Sequence, residues 1–386
     1  MAAAKIQCIN KFRMLNVLSL VSYPFLPPKM GGQKGIAYFN NYVSKHINLT
    51  CITTRNNIIT DVLGYEVLTI LSNKRYRYFN IFYFFTLRKQ IRARKITHLI
   101  LEHPYYGWLG VLLKYMCKVK LIVHSHNIES LRFKSTGRIW WKLLWLYEKF
   151  THQQADGSFF IQENDRKYAI KEFKVDEKKC ITVTYGFEMK IPPGMDEKKQ
   201  AKYELCRQYK MDYSTKLLLF NGTLDYKPNL DALENIIKHI NPLLLSSFNI
   251  NYKLIICGKG LPARYNELRQ YESVNIIYAG FVDDINLYFK GADIFINPVL
   301  DGGGIKTKLV EALGNGISAV SSQSGAIGVP LTVTGNKLSV VNDHDWPGFT
   351  KAIINADTSG NIPSVFFDHF YWGNIAIKAA EFLEKA

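Results

Sequence analysis

The stretch from Ile294 to Gly316 places residue types suited to diphosphate binding directly after an apolar run. It reads IFINPVLDGGGIKTKLVEALGNG, an expected strand followed by glycines and then by a helical pattern. Glycines at the carboxyl end of a strand let the backbone approach a ligand closely. We expect the amides of Gly303, Gly304 and Ile305 to open the helix, where aligned N–H groups and the helix dipole favour an anion.

Lys308 and Glu311 lie three residues apart and therefore share one helix face. A cation there suits phosphate charge, and a carboxylate there can accept hydrogen bonds from both hydroxyls of a ribose. The alternative is a flexible glycine loop followed by a surface ion pair. Two other small-residue loops, CGKG with Gly258 and SGAIGVP from Ser324 to Pro330, follow neighbouring expected strands. Since open α/β sheets bind ligands at such strand ends, the pattern favours a binding site.

A second group of polar residues follows an earlier apolar run, in VHSHNIESLRF from Val123 to Phe133. A single histidine is more often a satisfied structural residue. His124 and His126 nevertheless stand together at the carboxyl end of an expected strand, so a functional role for one of them is favoured. After the first expected strand, the pair Gly31 and Gly32 would open the next helix.

The 386 residues exceed the size at which one hydrophobic core stops growing, so two α/β domains are expected. Short β-branched runs alternate with longer mixed segments, the pattern of βα units around parallel sheets. The expected strands are Val17 to Val21, Leu49 to Thr53, His98 to Leu101, Leu121 to His124, Gly157 to Ile161, Ile181 to Thr184, Leu217 to Asn221, Tyr252 to Cys257, Val274 to Tyr278, Ile294 to Asn297, Ile317 to Ser321 and Leu338 to Val341.

The breakers Pro192, Pro193 and Gly194 mark a linker from Glu188 to Lys202. With this linker between them, we expect a first α/β domain over residues 1–187 and a second over residues 203–368. Residues 369–386 are expected to form a C-terminal helix, roughly from Gly373 to Lys385, that packs back toward the N-terminal domain. The six cysteines are scattered, without the paired cysteine and histidine spacing of a zinc site, so no metal is expected.

The formal net charge is +17, and its excess lies entirely in the first part of the chain. Residues 1–150 hold 23 Lys and Arg against 5 Asp and Glu, whereas residues 151–386 hold 26 against 27. Such asymmetry suggests a polyanionic partner, either an acidic membrane or nucleic acid. The segment Lys74 to Lys95, KRYRYFNIFYFFTLRKQIRARK, has basic ends around an aromatic centre, which suits an interfacial helix and equally suits an ordinary crossover helix. Trp140, Trp141 and Trp145 would extend the same surface.

The run PVLDGGGIKTKLVEALGNG, together with FNGTLDYKPNLDAL, LIICGKG and YAGFVDDI, resembles the glycosyltransferases of family four. The resemblance covers most of the C-terminal half in order and spacing. It implies the α/β GT-B fold, with two Rossmann-like domains facing each other across a cleft, and retaining sugar transfer without a metal. It implies no cofactor, since the nucleotide sugar is a substrate.

By this resemblance, Glu311 binds the donor ribose, and Gly303 and Gly304 supply the amides for the diphosphate. Phe281 and Val282 occupy the place where family members line the nucleobase pocket.

In the N-terminal half, His126 is the best match to the family's histidine beside the donor sugar, where it would bind a hydroxyl or handle the acceptor proton. The loop with Gly31 and Gly32 would face the diphosphate and acceptor. Glu163 matches weakly, because Gln162 precedes it where family members have serine.

Two departures from the family pattern concern the diphosphate site. Many members carry a second glutamate eight residues before the first, but that position here is Gly303. Many also carry an arginine and lysine pair after the first strand of the domain, where this chain has Lys227. We therefore expect Lys227, Lys306 or Lys308 to neutralise the phosphate charge, and the sequence does not decide which of the three does so.

The function expected is transfer of a sugar from a UDP- or GDP-linked donor to a saccharide or lipid-linked saccharide in cell-surface polysaccharide or lipopolysaccharide synthesis. The expected location is cytoplasmic, on the inner face of the cytoplasmic membrane if the basic half binds anionic lipid. Three alternatives remain. A GT-B-like nucleotide-sugar 2-epimerase has no large acceptor to bind, so it would not explain the basic N-terminal half. An oxidoreductase lacks a GxGxxG after the first strand, and a nucleic-acid-binding protein rests on charge alone, so nucleic acid is not an expected partner.

Overall fold

The computed structural model describes residues 15–28, 31–59, 63–247 and 250–386. They form two compact units, one of Met1–Glu188 with Phe370–Ala386 and one of Met189–His369. Each unit has its own parallel β-sheet and its own hydrophobic core. These are the two Rossmann-like sheets expected from the sequence.

The first unit contains a seven-stranded parallel sheet in the order β3-β2-β1-β4-β5-β6-β7. Its strands are β1 Asn16–Val21, β2 Asn48–Thr54, β3 Glu66–Leu71, β4 His98–Glu102, β5 Lys120–Ser125, β6 Gly157–Phe160 and β7 Cys180–Thr182. The six predicted strands of this half are confirmed to within about two residues, whereas the edge strand β3 was not predicted. This order places β1, β4 and β5 at the centre of the sheet, where they are almost fully buried. Their carboxyl ends therefore lie side by side at the middle of one sheet edge.

The helices of this unit connect successive strands. They are α1 Gly31–Val43, α2 Tyr83–Ala93, α3 Gly107–Cys117, α4 Glu129–Ser135, α5 Trp141–Gln154 and α6 Glu163–Tyr168, with 3-10 turns at Arg75–Phe79, Pro104–Tyr106 and Glu177–Lys179 and a π turn at Ala169–Phe173. The expectation that a glycine pair opens the helix after the first strand is confirmed by α1.

The segment from Lys74 to Lys95 is not one continuous helix. A 3-10 turn, Arg75–Phe79, is followed by three residues outside any helix and then by α2. Buried Arg77 explains the break, because its guanidinium donates to the carbonyls of Ser22, Asn73 and Lys74 and so holds the turn against the end of β1.

The second unit contains a six-stranded parallel sheet in the order β10-β9-β8-β11-β12-β13. Its strands are β8 Lys216–Asn221, β9 Tyr252–Cys257, β10 Ile276–Gly280, β11 Ile294–Asn297, β12 Ser318–Ser322 and β13 Leu338–Val341. Its helices are α7 Met195–Gln208, α8 Lys227–Asn235, α9 Asn241–Leu245, α10 Ile285–Gly291, α11 Thr307–Gly314, α12 Leu331–Thr334, α13 Trp346–Ile354 and α14 Ser364–Phe370, with a π turn at Ile236–Ile240 and 3-10 turns at Ser324–Ala326 and Gly335–Lys337. The segment Ala263–Val274 holds two 3-10 stretches separated by a kink at Asn266, Glu267 and Leu268. All six predicted strands of this half are present.

The linker after the first unit is shorter than expected. Helix α7 begins at Met195, so Lys202 lies within a helix rather than in a linker. Asp196 and Glu197 stand in the first turn of α7, where carboxylates interact favourably with the helix dipole.

The last helix, α15 Trp372–Lys385, packs against α1 of the first unit. The amide of Trp372 donates to the carbonyl of Phe187 at 3.1 Å, and Phe382 contacts Phe159 of β6. A Cβ at Gly157 would lie 2.4 Å from the ring of Phe382, so a larger residue there would displace this helix. The chain thus returns to the first unit after completing the second.

Candidate functional site

The glycine loop of the second unit, residues 301–306, follows β11 and leads into α11. Helix α11 begins at Thr307, and Lys306 before it is extended, with φ −82° and ψ 92°. The prediction that the amides of Gly303, Gly304 and Ile305 open the helix is therefore wrong. Gly304 has φ +75°, a left-handed conformation that cannot continue into a right-handed helix. The glycine amides instead belong to an irregular loop just before the helix.

Lys306 ties this loop to itself. Its ammonium donates to the carbonyl oxygens of Gly302 and Gly304, the latter at 3.4 Å. Burial lowers the pKa of Lys306 to about 8. The Lys306 ammonium therefore places a positive charge within the glycine loop. An anion that binds there could replace the two carbonyl oxygens as the partner of this ammonium.

Lys308 and Glu311 share a face of α11, as expected, and their side chains form an ion pair at 2.8 Å. The Glu311 side chain is only 12% exposed, whereas Lys308 is 32% exposed. The pair lies in the helix that the glycine loop opens into, so a carboxylate and a cation stand next to the loop.

Lys227 begins α8 with its side chain 81% exposed and pairs with Asp231. The segment around it contacts the glycine loop, because a Cβ at Gly302 would lie 3.3 Å from the Tyr226 hydroxyl and 3.5 Å from Pro228. The structure thus brings the loops after β8 and β11 together. It leaves the Lys227 ammonium in solvent rather than in the glycine loop.

Gly258 follows β9 and has a structural requirement of its own. A Cβ at this position would lie 1.8 Å from the carbonyl oxygen of Gly222. The Gly258 amide donates to the carbonyl of Gly280 at 2.7 Å, which joins this loop to the end of β10. Phe281 and Val282 follow directly, and Phe281 is 70% exposed. Gly258, Phe281 and Val282 therefore lie beside one another at two neighbouring strand ends, those of β9 and β10.

In the first unit, the predicted catalytic histidine His126 lies in a buried cluster built on Glu102. The register of β4 against β5 pairs Glu102 with His124. The Glu102 carboxylate then lies 2.7 Å from Nε2 of His126 and 3.0 Å from Nδ1 of His124. One carboxylate at the end of β4 thus orients the imidazole of His124 in β5 and that of His126, which follows β5.

The charges of this cluster are set by its burial. Burial alone raises the pKa of Glu102, but His124 and His126 outweigh it and hold the pKa of this carboxyl well below its usual range. Burial, His103 and His124 lower the pKa of His126 to about 4. We therefore assign a neutral His126 at neutral pH whose Nε2–H donates to an ionised Glu102. That tautomer leaves Nδ1 as a lone-pair acceptor.

His103 joins the cluster and was not predicted from the sequence. Its ring stacks on His126 with centroids 4.4 Å apart, and its Nε2 lies 2.9 Å from the Tyr23 hydroxyl. Its backbone has φ +69° and ψ 158°, a conformation that costs a non-glycine residue free energy and often marks a functional site. A signal was available, because His103 follows an expected strand just as His126 does.

Glu129 forms the opposite edge of this cluster. Its carboxylate lies 3.4 Å from Nδ1 of His103 and accepts hydrogen bonds from Tyr105 and Arg132. Burial raises the pKa of Glu129, but His103 and Arg132 outweigh it and lower the pKa strongly. Two ionised, buried carboxylates therefore flank the stacked histidines.

Glu102, His124 and His126 are also a set of side chains that could ligate a cation, since their ligand atoms lie within 4.8 Å of one another. The spacing of the cysteines does not predict this set of side chains, because the set contains no cysteine. Two imidazoles and a carboxylate form a ligand set that zinc and other divalent ions accept. The hydrogen bonds between these groups satisfy the same atoms without an ion.

The other predicted residues of this unit are Gly31, Gly32 and Glu163. Gly31 and Gly32 begin α1, and a Cβ at Gly32 would meet no atom within 4 Å. Glu163 begins α6, pairs with Arg166 at 2.9 Å and accepts from the Thr182 hydroxyl at 2.7 Å, which ties α6 to β7. Glu163 therefore has a structural role in its own unit.

Two family models match the chain. The model described as Glycosyltransferase Family 4 matches residues 53–189, and the model described as Glycosyl transferases group 1 matches residues 215–357. The first match holds the histidine cluster, and the second holds the glycine loop and Glu311. Each of the two sheets thus has its own family match.

Individual relatives agree with the family models. The chain is 27% identical over 249 residues to an uncharacterized 44.6 kDa protein of the cps region of Klebsiella pneumoniae, a match that spans 61% of this chain and 58% of that relative. It is 24% identical over 319 residues to the O-antigen biosynthesis glycosyltransferase WbnH of Escherichia coli, spanning 83% of this chain and 85% of that one.

A solved structure shows the same fold. The chain resembles Anabaena HepE in complex with UDP and glucose with a TM-score of 0.69 at 12% identity, over 96% of this chain and 100% of that one. At this identity the likeness bears on the fold alone. With both family models, it shows that the chain belongs to the group 1 glycosyltransferases of family four and has the GT-B fold.

Proposed function

We propose that this protein transfers a hexose from a UDP- or GDP-linked donor to a saccharide acceptor. The observation that carries the proposal is the glycine loop, in which Lys306 supplies a charge just before the helix with Lys308 and Glu311. A nucleoside diphosphate needs cations and amides for its phosphates and a carboxylate for its ribose. Loop and helix supply these three kinds of group side by side.

In the proposed reaction, the bond between the anomeric carbon and the diphosphate breaks while negative charge builds on the departing phosphate. Lys306 and the loop amides would stabilise that charge, as preorganised donors do in transition states. No metal is required for this step. Retention of configuration is proposed from the family resemblance.

His126 is proposed to act on the acceptor side of the reaction or on a donor sugar hydroxyl. Its Nε2–H is held by Glu102 at 2.7 Å, so Nδ1 is the atom that can accept a proton or a hydrogen bond. Glu102 would be a positioning residue, because it acts through the imidazole.

The acceptor is proposed to be a membrane-anchored saccharide in polysaccharide synthesis, on the inner face of the cytoplasmic membrane. The E. coli relative is named for O-antigen biosynthesis, which supports this class of acceptor. Among the described residues, no helix is both long and apolar enough to cross a bilayer. We propose a peripheral attachment on the ground of the cationic excess in residues 1–150.

The test is release of free UDP or GDP from a panel of nucleotide hexoses, with and without lipid-linked or free oligosaccharides. We expect release with one donor class and only when an acceptor is present. Release without an acceptor would instead support a hydrolase, and an epimerised nucleotide sugar without release would support the 2-epimerase alternative. Absence of release across a broad panel, with no thermal stabilisation by any nucleotide sugar, would contradict the donor assignment.

A further inference from the structure

The surface contributed by residues 67–155 carries no exposed carboxylate. Glu102, Glu129 and Glu148 are the acidic residues in this range, and each is at most 1% exposed. The same range holds sixteen lysines and arginines, of which Arg77 is buried. The charge presented to solvent by the ionised side chains of this range is therefore of one sign. Two of its cations, Arg94 and Lys114, pair with carboxylates just outside the range, Glu66 and Asp156.

Large apolar side chains are exposed on the same part of the chain. Leu112, Tyr115 and Met116 follow the i, i+3, i+4 spacing of one face of α3, and Leu143, Leu146 and Phe150 follow the i, i+3, i+7 spacing of one face of α5. The turn before α2 and its first residues add another set: Phe79, Ile81, Phe82 and Phe85, exposed between 62% and 82%. Each helix therefore buries one face and leaves a second apolar face in solvent.

These three elements are neighbours. Trp108 of α3 donates its indole N–H to the carbonyl of Tyr78 at 2.8 Å, and its backbone amide donates to the Tyr147 hydroxyl of α5 at 3.0 Å. The ammonium of Lys114 donates to the carbonyl of Gln154 at 2.8 Å. Helix α3 also packs against both α2 and α5. The exposed apolar side chains thus belong to one group of adjacent helices, which we call the α2–α3–α5 face.

Cations lie over aromatic rings on and next to this face. Lys114 lies 5.8 Å from the ring centroid of Tyr115, and Lys149 lies 5.1 Å from that of Trp145. Lys134 and Lys142 lie 4.8 Å and 5.9 Å from the ring of Trp141. Interfacial protein segments combine such aromatic and basic groups, since the rings enter the headgroup boundary while the cations meet anionic headgroups.

We propose that the α2–α3–α5 face docks onto the surface of an anionic lipid bilayer; the inference rests on the proposed function, which places the acceptor in a membrane. Charge complementarity favours an anionic bilayer over the other possible partners of this face. A second copy of the chain would bring one cationic face against another, at a repulsive cost. Nucleic acid would meet the charge but would leave the apolar side chains of α3 and α5 without an apolar environment.

The face is wider than the surface suggested by the sequence. Only part of Lys74 to Lys95 lies in α2, and beyond the tryptophans of α5 that were expected, the structure adds α3 and the exposed Leu143, Leu146 and Phe150 of α5. Docking by the whole face predicts that substitutions on α5 weaken binding as substitutions on α2 do.

The experiment measures co-sedimentation of the full chain with phosphatidylcholine vesicles that contain or lack phosphatidylglycerol, across a salt series. Three double variants are compared: Phe82→Ser with Phe85→Ser, Leu143→Ser with Leu146→Ser, and Lys89→Gln with Arg92→Gln. The control is Tyr203→Ser with Leu331→Ser, which removes exposed apolar side chains from the second unit. Thermal unfolding checks that each variant is folded.

We expect wild type and control to bind the anionic vesicles alone, with affinity falling as salt rises. The cation pair should lower the partition coefficient roughly 30-fold, from about 1 kcal/mol for each cation near an anionic surface. Both apolar pairs should lower it by at least about tenfold, since buried apolar area drives interfacial binding.

Three outcomes would overturn the proposal. They are equal binding to neutral vesicles at low salt, unchanged binding by folded α5 variants, and a change in molar mass by light scattering in place of a change in vesicle binding. Nucleotide release with a soluble acceptor separates this result from the proposed function. A variant that loses vesicle binding but keeps that activity supports the docking face. If wild type has no such activity, the transferase proposal is overturned, but the vesicle-binding result can still be interpreted by itself.

Discussion

Glu102→Gln isolates the role of the carboxylate that joins the two histidines. Glutamine keeps the shape of the side chain but has one acceptor oxygen and an NH₂ group in place of two acceptor oxygens. One of the two imidazole N–H groups, at 2.7 Å for His126 and 3.0 Å for His124, would then face an amide donor. An unsatisfied buried donor costs about 1–3 kcal/mol, so the free energy of unfolding should fall by about that amount.

The effect on turnover follows from the lost charge. A hydrogen bond to a charged group contributes about 1.5–3 kcal/mol, and each 1.4 kcal/mol is tenfold, so we expect kcat to fall roughly 10- to 100-fold. The KM for the nucleotide sugar should change little, because the glycine loop and Glu311 are in the other unit.

The pH profile separates positioning from a purely structural role. The pKa of His126 is about 4, so wild type keeps the neutral ring as pH falls from 7 and loses it as pH passes through that value. The carboxylate of Glu102 raises this pKa. Its removal should therefore move the acid limb of kcat to lower pH while lowering the plateau.

The assay is kcat against pH with nucleotide release as the readout, alongside denaturant unfolding. The matched control is Glu177→Gln, which removes a carboxylate that is 71% exposed in the same unit. If Glu102→Gln is folded and its turnover and acid limb both match wild type, the Glu102–His126 pair has no part in the reaction.

Three further predictions concern binding, packing and metal. Glu311→Gln should weaken nucleotide-sugar affinity by roughly 10- to 100-fold in a variant that remains folded, by isothermal titration, because a charged acceptor contributes about 1.5–3 kcal/mol; unchanged affinity would reject the ribose assignment. Gly258→Ala should lower Tm sharply or prevent folding, since its Cβ would lie 1.8 Å from the Gly222 carbonyl oxygen, whereas Gly194→Ala, with no atom within 4 Å of its Cβ, should leave Tm nearly unchanged; equal Tm values would show that the backbone relaxes. Turnover should survive EDTA, and loss that zinc, magnesium or manganese restores would assign an ion to the histidine cluster.

The sheets were predictable because their signal is local. Buried parallel strands such as β9 and β11 are continuous apolar runs bounded by polar or glycine-rich segments, which the sequence displays directly. The missed strand β3 lies at the edge of its sheet and is partly exposed. Its run EVLTIL still carries β-branched residues, so the sequence does hold a strand signal there.

The start of α11 was not predictable from residue spacing. Glycine permits both helical and left-handed backbone, so three glycines in a row do not specify where a helix begins. The structure gives Gly302 and Gly304 positive φ and delays the helix to Thr307. The surroundings of Gly302 accompany that conformation: Tyr226 approaches from the loop after β8, and Lys306 approaches from the glycine loop itself.

The histidine cluster was predictable in part. The rule that ligands meet strand ends selected His124 and His126, and it applies equally to His103 after β4. The role of Glu102 depends on the register that pairs it with His124, twenty-two residues away. Such register is set by tertiary pairing and leaves no mark on the sequence around either residue.

The central claim is sugar transfer from a nucleotide donor to an acceptor, and one measurement tests it most directly. Wild type and His126→Ala are incubated with UDP- or GDP-linked hexoses labelled in the sugar, together with membrane-extracted lipid-linked saccharides, and the products are analysed by mass spectrometry. We predict that wild type adds one labelled hexose to an acceptor in step with nucleotide release, and that folded His126→Ala does so roughly 100-fold more slowly. Label found only in free sugar or in an epimerised nucleotide sugar would contradict the transferase account.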